Sequence, residues 1–289
     1  MKSISGKTKV TGLIGYPVEH SFSPAMHNAA FGRNNLDYVY VPFCVKPEEL
    51  SQAAAGIRGL NLAGVNVTIP HKAAIMEFLD DLAPEAKLIG AVNTIVVRDG
   101  KLIGHNTDAP GFVAALRKEA AVEPAGKQVT IIGAGGAARA VAIQLALEGV
   151  GKITLSSPFP KEIIPIKKAI TSATATLVAE ACWDETAISM AAVNSDIVIN
   201  TTPLGMHPNT NDMPPISFAE IPEGVLVCDL IYNPGETMFL KKAKEQGLPV
   251  MNGIGMLLYQ GVIAFELWTG SEAPVETMRK VLLKAVKGD

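Results

Sequence analysis

Two kinds of residue cluster in this sequence could do chemistry: one glycine-rich turn, and a series of short polar islands at the ends of strand-like runs. The turn reads Ile132-Gly133-Ala134-Gly135-Gly136-Ala137-Ala138-Arg139. Its frame, Gly133-x-Gly135-x-x-Ala138, matches a dinucleotide fingerprint with alanine in the third place. The first glycine allows a tight turn, the second lets the backbone approach a pyrophosphate, and the small third residue lets helix and strand pack closely. A helix N-terminus just behind it would offer unpaired N–H groups to the phosphates. A lone fingerprint is equally a strand-to-helix turn with no ligand. Here a strand-like run precedes it, a helical run follows, and further βα units come after.

The polar islands are Ser21-Phe22-Ser23-Pro24, Asn66-Val67-Thr68-Ile69-Pro70-His71-Lys72, Ala91-Val92-Asn93-Thr94 and Asn106-Thr107-Asp108. Two more, Asn200-Thr201-Thr202-Pro203-Leu204-Gly205-Met206 and Gly253-Ile254-Gly255-Met256-Leu257-Leu258-Tyr259-Gln260-Gly261, lie in the second half. Each has a plainer reading. Lys72 could be a solvated surface lysine. Ser23 could cap a helix with Pro24 at its first position, and Asp108 could cap the next one. Asn66 and Asn93 could be turn residues. The Asn200 island follows another strand, which places it over the carboxyl ends of the sheet, where ligands of open α/β folds bind.

The elements that must position these residues are legible as periodic runs. Strands are expected at 10–14, 38–41, 62–67 and 92–97, and helices at 24–31, 47–56 and 72–79. Asp99-Gly100 between two apolar runs signals a hairpin. A helix over 110–119 leads to a second part with strands at 129–132, 153–155, 196–199, 225–228 and 249–251. Continuous apolar strands alternating with helices indicate a parallel sheet covered on both faces. Helices at 256–268 and 274–286 close the chain.

Composition narrows the class further. The 289 residues are 48% hydrophobic and 18% charged, with a net charge of −3, so nothing marks a nucleic-acid or acidic-membrane binder. The leading residues from Met1 to Gly6 lack an apolar core, and read as no signal peptide. The three cysteines, Cys44, Cys182 and Cys228, read as buried thiols of a reducing, cytoplasmic compartment. The five histidines show no ligand spacing, and no metal is expected.

Taken in order, the motifs S-F-S-P, N-V-T-I-P-H-K, A-V-N-T, N-T-D, G-A-G-G-A-A-R, N-T-T-P-L-G-M and G-M-L-L-Y-Q-G resemble those of the shikimate dehydrogenase family over essentially the whole chain. The resemblance implies an α/β fold: a discontinuous N-terminal substrate domain with a mixed sheet (residues 1–110 and 253–289), and an inserted Rossmann NAD(P)-binding domain (111–252), with the site in the cleft between them. It implies reversible reduction of 3-dehydroshikimate to shikimate by NADPH, on the route to chorismate and the aromatic amino acids.

Residue by residue, the resemblance makes Lys72 and Asp108 the catalytic pair. Ser21 and Ser23, helped by Tyr232, would take the substrate carboxylate, and Asn66, Thr68, Asn93, Asp108 and Gln260 the ring hydroxyls. Gly133, Ala134, Gly135, Gly136, Ala137, Ala138, Asn200, Thr201, Thr202 and Gly253 would contact the cofactor. Many members carry Asn-Arg-Thr after the second Rossmann strand, its Arg supporting NADP. Here Ser157-Pro158-Phe159 stands in that region, so Ser156 and Ser157 are the candidates beside the ribose, with Arg139 (just past the glycine turn) and Lys161 the candidate cations. NADP is the expected cofactor, with NAD left open. An NAD-dependent quinate/shikimate dehydrogenase and a non-catalytic nucleotide-binding regulator are the competing readings. A serine at position 23 leans towards shikimate. The expected partner is a small-molecule substrate, with neither nucleic acid nor membrane, and a homodimer is the one assembly left open.

Overall fold

The computed structural model describes residues 3–287, so Met1 and Lys2 of the leading segment, and the last two residues of the expected C-terminal range, lie outside the described residues. In chain order the elements are β1 (Lys9–Gly15), α1 (Ser23–Arg33), β2 (Tyr38–Cys44), α2 (Leu50–Gly59), β3 (Gly64–Val67), β4 (Asp81–Leu82), α3 (Pro84–Ile89), β5 (Thr94–Arg98), β6 (Lys101–His105) and α4 (Asp108–Glu119). Then come β7 (Gln128–Ile132), α5 (Gly136–Leu147), β8 (Lys152–Ser156), α6 (Ile163–Ala173), β9 (Leu177–Ala181), α7 (Glu185–Val193), β10 (Ile197–Asn200), β11 (Leu226–Asp229), α8 (Met238–Glu245), β12 (Val250–Met251), α9 (Ile254–Thr269) and α10 (Val275–Lys287). Two compact units form, one from the residues up to Gly111 together with those from Leu258 onward, the other from Phe112–Leu257. Among the described residues no helix is long and apolar enough to cross a membrane.

The discontinuous unit holds a mixed sheet in the order β2-β1-β3-β5-β6-β4. β1 runs parallel to β2 and β3, whereas β5 is antiparallel to both β3 and β6. The hairpin between β5 and β6 turns at Asp99 (φ 51°) and Gly100 (φ 74°), as the Asp-Gly pair leads one to expect. One apolar cluster packs Ile14, Leu50, Ile57, Val65, Ile75 and Ile95. A second, aromatic cluster stacks His27 on Tyr40 at 4.6 Å and Phe31 on Phe265 at 5.3 Å. The Trp268 indole N–H donates to the Ile95 carbonyl at 3.0 Å. At the open edge of the sheet, Asn28 on α1 imitates a neighbouring strand. Its Nδ2 donates to the Tyr40 carbonyl (2.8 Å) and its Oδ1 accepts the Tyr40 N–H (2.9 Å), so the edge is capped at that residue and α1 is held to β2.

The inserted unit holds a six-stranded sheet, β12-β11-β10-β7-β8-β9, in which every paired strand is parallel. Starting from β9 this is the doubly wound order 3-2-1-4-5-6. Its strands are apolar and buried on both faces, with Ile131, Ile153, Val198, Ile199 and Val227 fully covered. The expected α/β class and its two kinds of sheet are what the chain adopts.

Several local expectations need correction. The helix expected at 72–79 is only a 3-10 segment, Ala74–Phe78. The Lys72 carbonyl accepts the Val92 N–H at 2.7 Å, which ties this residue to the chain entering β5 and removes it from any helical ladder. Ser23 is not a cap: Phe22 occupies that position, Ser23 is already helical, and its hydroxyl is hydrogen-bonded to Tyr40. Two cysteines are not buried. Cys44 and Cys182 end or follow the edge strands β2 and β9 and are exposed, and only Cys228, in β11, is buried. Strands β4 and β9 carry no signal in the sequence, since β9 (Leu-Val-Ala-Glu-Ala) is a half-exposed edge whose pairing with β8 overrides weak propensity.

Gly64 shows how tightly the mixed sheet is packed, because a methyl built there would overlap the Trp268 indole and lie 2.7 Å from the Ile95 carbonyl. Gly64→Ala is expected to cost about 2–4 kcal/mol through overpacking and loss of the indole hydrogen bond. Denaturant unfolding measures it, and an unchanged midpoint would show that the indole has room to move.

Candidate active site

In the discontinuous unit the polar islands converge at the carboxyl ends of β1 and β3 and at the start of α4. Asp108 is the first residue of α4, where the unpaired N–H groups of a helix start favour a carboxylate. It does not serve as the cap. That task falls to Asn106, whose Oδ1 accepts the Ala109 N–H at 3.2 Å. The Asp108 carboxylate accepts instead from Lys72, with Nζ to Oδ2 at 2.6 Å. Both side chains keep some access to solvent, 33% for Lys72 and 20% for Asp108, so the pair is neither sealed in the core nor free on the surface.

Around this pair, Asn66 and Asn93 are buried hydrogen-bonding side chains and not turn residues. Asn66 Nδ2 donates to the Asn93 carbonyl (3.1 Å) and to Thr94 Oγ1 (3.0 Å), while its Oδ1 accepts the Tyr40 hydroxyl (2.8 Å). Asn93 Oδ1 accepts the Thr107 N–H (2.7 Å), and its Nδ2 donates to Thr107 Oγ1 (3.0 Å). A carbonyl can only accept and a backbone N–H can only donate, so both amides are locked in one orientation. What they retain for a ligand is opposite in sense: acceptor capacity on Asn66 Oδ1 and one N–H on Asn93. Tyr40, which sequence reasoning passed over as a β-former, links Ser23 to Asn66 through its hydroxyl.

The remaining candidates lie in the same unit. Ser21 Oγ accepts the Ser23 N–H at 3.3 Å and is half-buried, and Thr68 follows β3 with its N–H bonded to the Ile14 carbonyl at 2.9 Å. Gln260, on α9, is 7% exposed, and its backbone N lies 2.6 Å from where a Cβ on Gly111 would stand, so a glycine in α4 allows the two helices to meet there. His71 Nε2–H donates to the Val45 carbonyl (2.7 Å), since a carbonyl can only accept, and the ring is 1% exposed. It is a structural histidine. His27, stacked on Tyr40, is pushed down to about 3 by burial and is neutral.

In the inserted unit the glycine turn has the form expected of a phosphate cradle. Gly133 follows β7 with φ 114°, and a Cβ there would stand 2.5 Å from Thr201 Oγ1, so only glycine fits. Thr201 Oγ1 itself donates to the Ile132 carbonyl at 2.8 Å, which joins the ends of β7 and β10. Ala134 is nearly buried and Ala138 is fully so, giving the close strand–helix contact. Gly135, Gly136 and Ala137 are exposed, nothing stands within 4 Å of where a Cβ would lie on either glycine, and the first turn of α5 carries no acidic residue. That is open room for an anion at a helix N-terminus.

Three cofactor candidates are placed differently from expectation. Ser156 is fully buried and donates to the Cys182 carbonyl (3.0 Å), so its hydroxyl is not offered to a ribose. Ser157, 5% exposed, accepts the Phe159 N–H at 3.1 Å, which leaves exposed Phe159 and Lys161 beside that strand end. Asn200 is also fully buried. Its Oδ1 accepts from Thr202 N–H (3.0 Å) and Oγ1 (2.7 Å), and its Nδ2 donates to Asp229 (3.1 Å), so it shapes the Thr202 loop from beneath. Tyr232, expected to help with a carboxylate, lies in the inserted unit on the loop after β11 and is 36% exposed. Gly253 is required by contact, since a Cβ would run into the Leu230 carbonyl.

A doubly wound parallel sheet with an open phosphate cradle, together with a polar cluster built around a lysine–aspartate pair, defines a nucleotide-dependent two-part α/β enzyme. Comparison with known proteins is specific. A family model described as shikimate dehydrogenase substrate binding domain matches residues 13–95, and one described as shikimate 5'-dehydrogenase C-terminal domain matches residues 253–283. A curated relative from Desulforamulus reducens, named shikimate dehydrogenase (NADP(+)), is 53% identical over 98% of this chain and 97% of its own. The shikimate 5-dehydrogenase of Listeria monocytogenes, solved with shikimate and NAD, superposes with a TM-score of 0.93 at 41% identity, covering 98% of this chain and 99% of that one. A further shikimate dehydrogenase, solved with NADP+, has a TM-score of 0.88 at 43% identity, covering 98% of each chain. The chain belongs to the shikimate dehydrogenase family.

Asp229, which the sequence did not single out, is 1% exposed at the end of β11, and burial pushes its carboxyl up to about 6. An unfolded aspartate titrates near 3.9, so between those values the folded chain binds the extra proton, and stability falls as pH rises through that window. Asp229→Asn lacks this titration. Its stability relative to the wild type is expected to improve by about 2 kcal/mol from about pH 4.5 to 7.5, read by denaturant unfolding. Parallel pH profiles for the two proteins would show that the carboxyl is not perturbed.

Proposed function

We propose that the protein reduces 3-dehydroshikimate reversibly to shikimate with NADPH, supplying the route to chorismate and the aromatic amino acids. The observation that carries this reading is the 2.6 Å contact between Lys72 Nζ and Asp108 Oδ2 inside a ring of locked amides and hydroxyls. A ring bearing several hydroxyls is read by many such bonds, and a site of this kind discriminates strongly because an unmatched partner leaves a buried polar group unpaired. Asn66 accepts from one hydroxyl, Asn93 donates to another, and Asp108 accepts from a third while orienting Lys72. Ser21, at the start of α1, takes the carboxylate, joined by Ser23 when its hydroxyl turns from Tyr40 to the ligand. The nicotinamide cofactor, when bound, supplies the hydride. Lys72 delivers the proton to the ketone oxygen and stabilises the charge that develops there. In the oxidative direction the same nitrogen receives it.

Residues 1–110 and 253–289 are then the substrate domain and 111–252 the nucleotide domain, with Gly133 to Ala138 on the pyrophosphate. NADP is the cofactor favoured by the family resemblance, with Lys161 the exposed cation beside the strand end that Ser157 follows. NAD-linked oxidation of quinate or shikimate is the second reading, favoured by the Ser157-Pro158-Phe159 run, which puts no arginine at that strand end. A cytoplasmic setting suits the three free cysteines. Neither nucleic acid nor membrane enters this reading, and a homodimer is the assembly to test for by sedimentation.

Lys72→Ala is expected to lower kcat by about a hundredfold or more while moving KM less, as for a group acting mainly in the transition state. Near wild-type turnover would remove the lysine from the mechanism. Ser21→Ala should instead raise KM for shikimate more than it lowers kcat. Initial rates crossing shikimate and quinate with NADP+ and NAD+ test the reaction and the cofactor together. A preference for NAD+ of about tenfold in kcat/KM, equivalent to ~1.4 kcal/mol, would overturn the cofactor while leaving the dehydrogenase standing.

A further inference from the structure

We infer that Asp229 is the positioning residue for the half of the cofactor site that takes the nicotinamide, an inference that rests on the dinucleotide reading above. The doubly wound sheet divides into two mononucleotide halves. The first, β7 to β9, carries the glycine turn and the adenosine-side strand end at Ser157. The second is β10 to β12, and its three strand ends are the Thr201-Thr202 loop, the loop bearing Tyr232, and Gly253.

One carboxylate bonds to the first two and reaches the third through Ile231. Asp229 Oδ1 accepts from Asn200 Nδ2 (3.1 Å), and through Asn200 it fixes Thr202. The same oxygen accepts the Ile231 N–H (3.0 Å), at the root of the Tyr232 loop. The Ile231 carbonyl in turn accepts the Gly253 N–H (3.0 Å) after β12. Asp229 Oδ2 accepts the Thr237 hydroxyl (2.6 Å), and Thr237 caps α8 by accepting the Leu240 N–H (3.3 Å). Three donors therefore point at a residue 1% exposed, and only a side chain with acceptors on both branches meets them all. Asp229 itself is withdrawn from solvent. Its effect on the cofactor passes through the loops it aligns.

Local alignment predicts a contrast that a merely structural aspartate would not give. NADP+ spans both halves of the site, whereas 2',5'-ADP occupies only the adenosine half. In calorimetric titrations of the full chain, Asp229→Ala is expected to weaken NADP+ by about tenfold or more, the size set by losing hydrogen bonds to a charged group. Binding of 2',5'-ADP should stay within about twofold, since the first half keeps its own hydrogen bonds. Asp229→Asn retains one acceptor branch and should recover most of the NADP+ affinity. Thr237→Val deletes one of the three donors at nearly constant volume, and shows the same contrast at about threefold even where the alanine variant does not fold. Equal weakening of both ligands, or unchanged NADP+ binding, in a folded variant would overturn the assignment. Shikimate turnover by the wild type is scored separately. Its absence would sink the proposed reaction, while the ratio of NADP+ to 2',5'-ADP affinities still decides the role of Asp229.

Discussion

A polar side chain taken out of water must find its hydrogen-bond partners inside the protein, and both sheets of this molecule end in rows of such groups. Satisfying them is what gives the candidate site its shape. In the mixed sheet Asn66 and Asn93 each bond to backbone, and the backbone partner decides which way the amide faces. In the parallel sheet Asn200 and Asp229 do the same across the loops after β10 and β11. The groups nearest the expected ligands have little freedom left, and a site with little freedom loses little entropy when it binds.

Helix N-termini are used in two ways. α4 begins with Asp108, so its positive end is already met by a carboxylate, and that carboxylate is thereby kept ready to orient Lys72. α5 begins with Gly136 after Gly135, has no acid in its first turn and is exposed there. The same dipole is left for a ligand in one case and given to a side chain in the other. The difference follows from a few residues: Asn106-Thr107-Asp108 supplies its own cap and anion, whereas Gly133 to Ala138 supplies neither.

Glycines mark where backbone or side chains come too close for a Cβ. Gly64 accommodates the Trp268 indole, Gly111 the turn of α9 at Gln260, and Gly253 the Leu230 carbonyl. Each lies one step from a residue of the candidate site or holds an element that carries one. The precision of the polar groups thus rests on apolar close packing behind them, where a single methyl would displace a whole element.

Sequence alone determined the elements with strong periodicity, the two kinds of sheet and the glycine turn, while the pairing of Lys72 with Asp108 came only through the motifs shared with a family. These are local or motif-borne: a period of two or 3.6, a turn that needs positive φ, a residue type at a fixed place. It could not determine how a polar residue spends its hydrogen bonds. Ser156 and Asn200 carry the right chemistry to meet a cofactor, yet both are buried and committed to Cys182, Thr202 and Asp229. Ser23 has the sequence position of a cap and turns to Tyr40 instead. Asp229 and Tyr40 gave no signal, because their partners are distant in the chain or ordinary backbone. Only the tertiary structure decides such cases, since a hydrogen bond forms with whatever group the fold brings within about 3 Å, whatever the separation along the sequence.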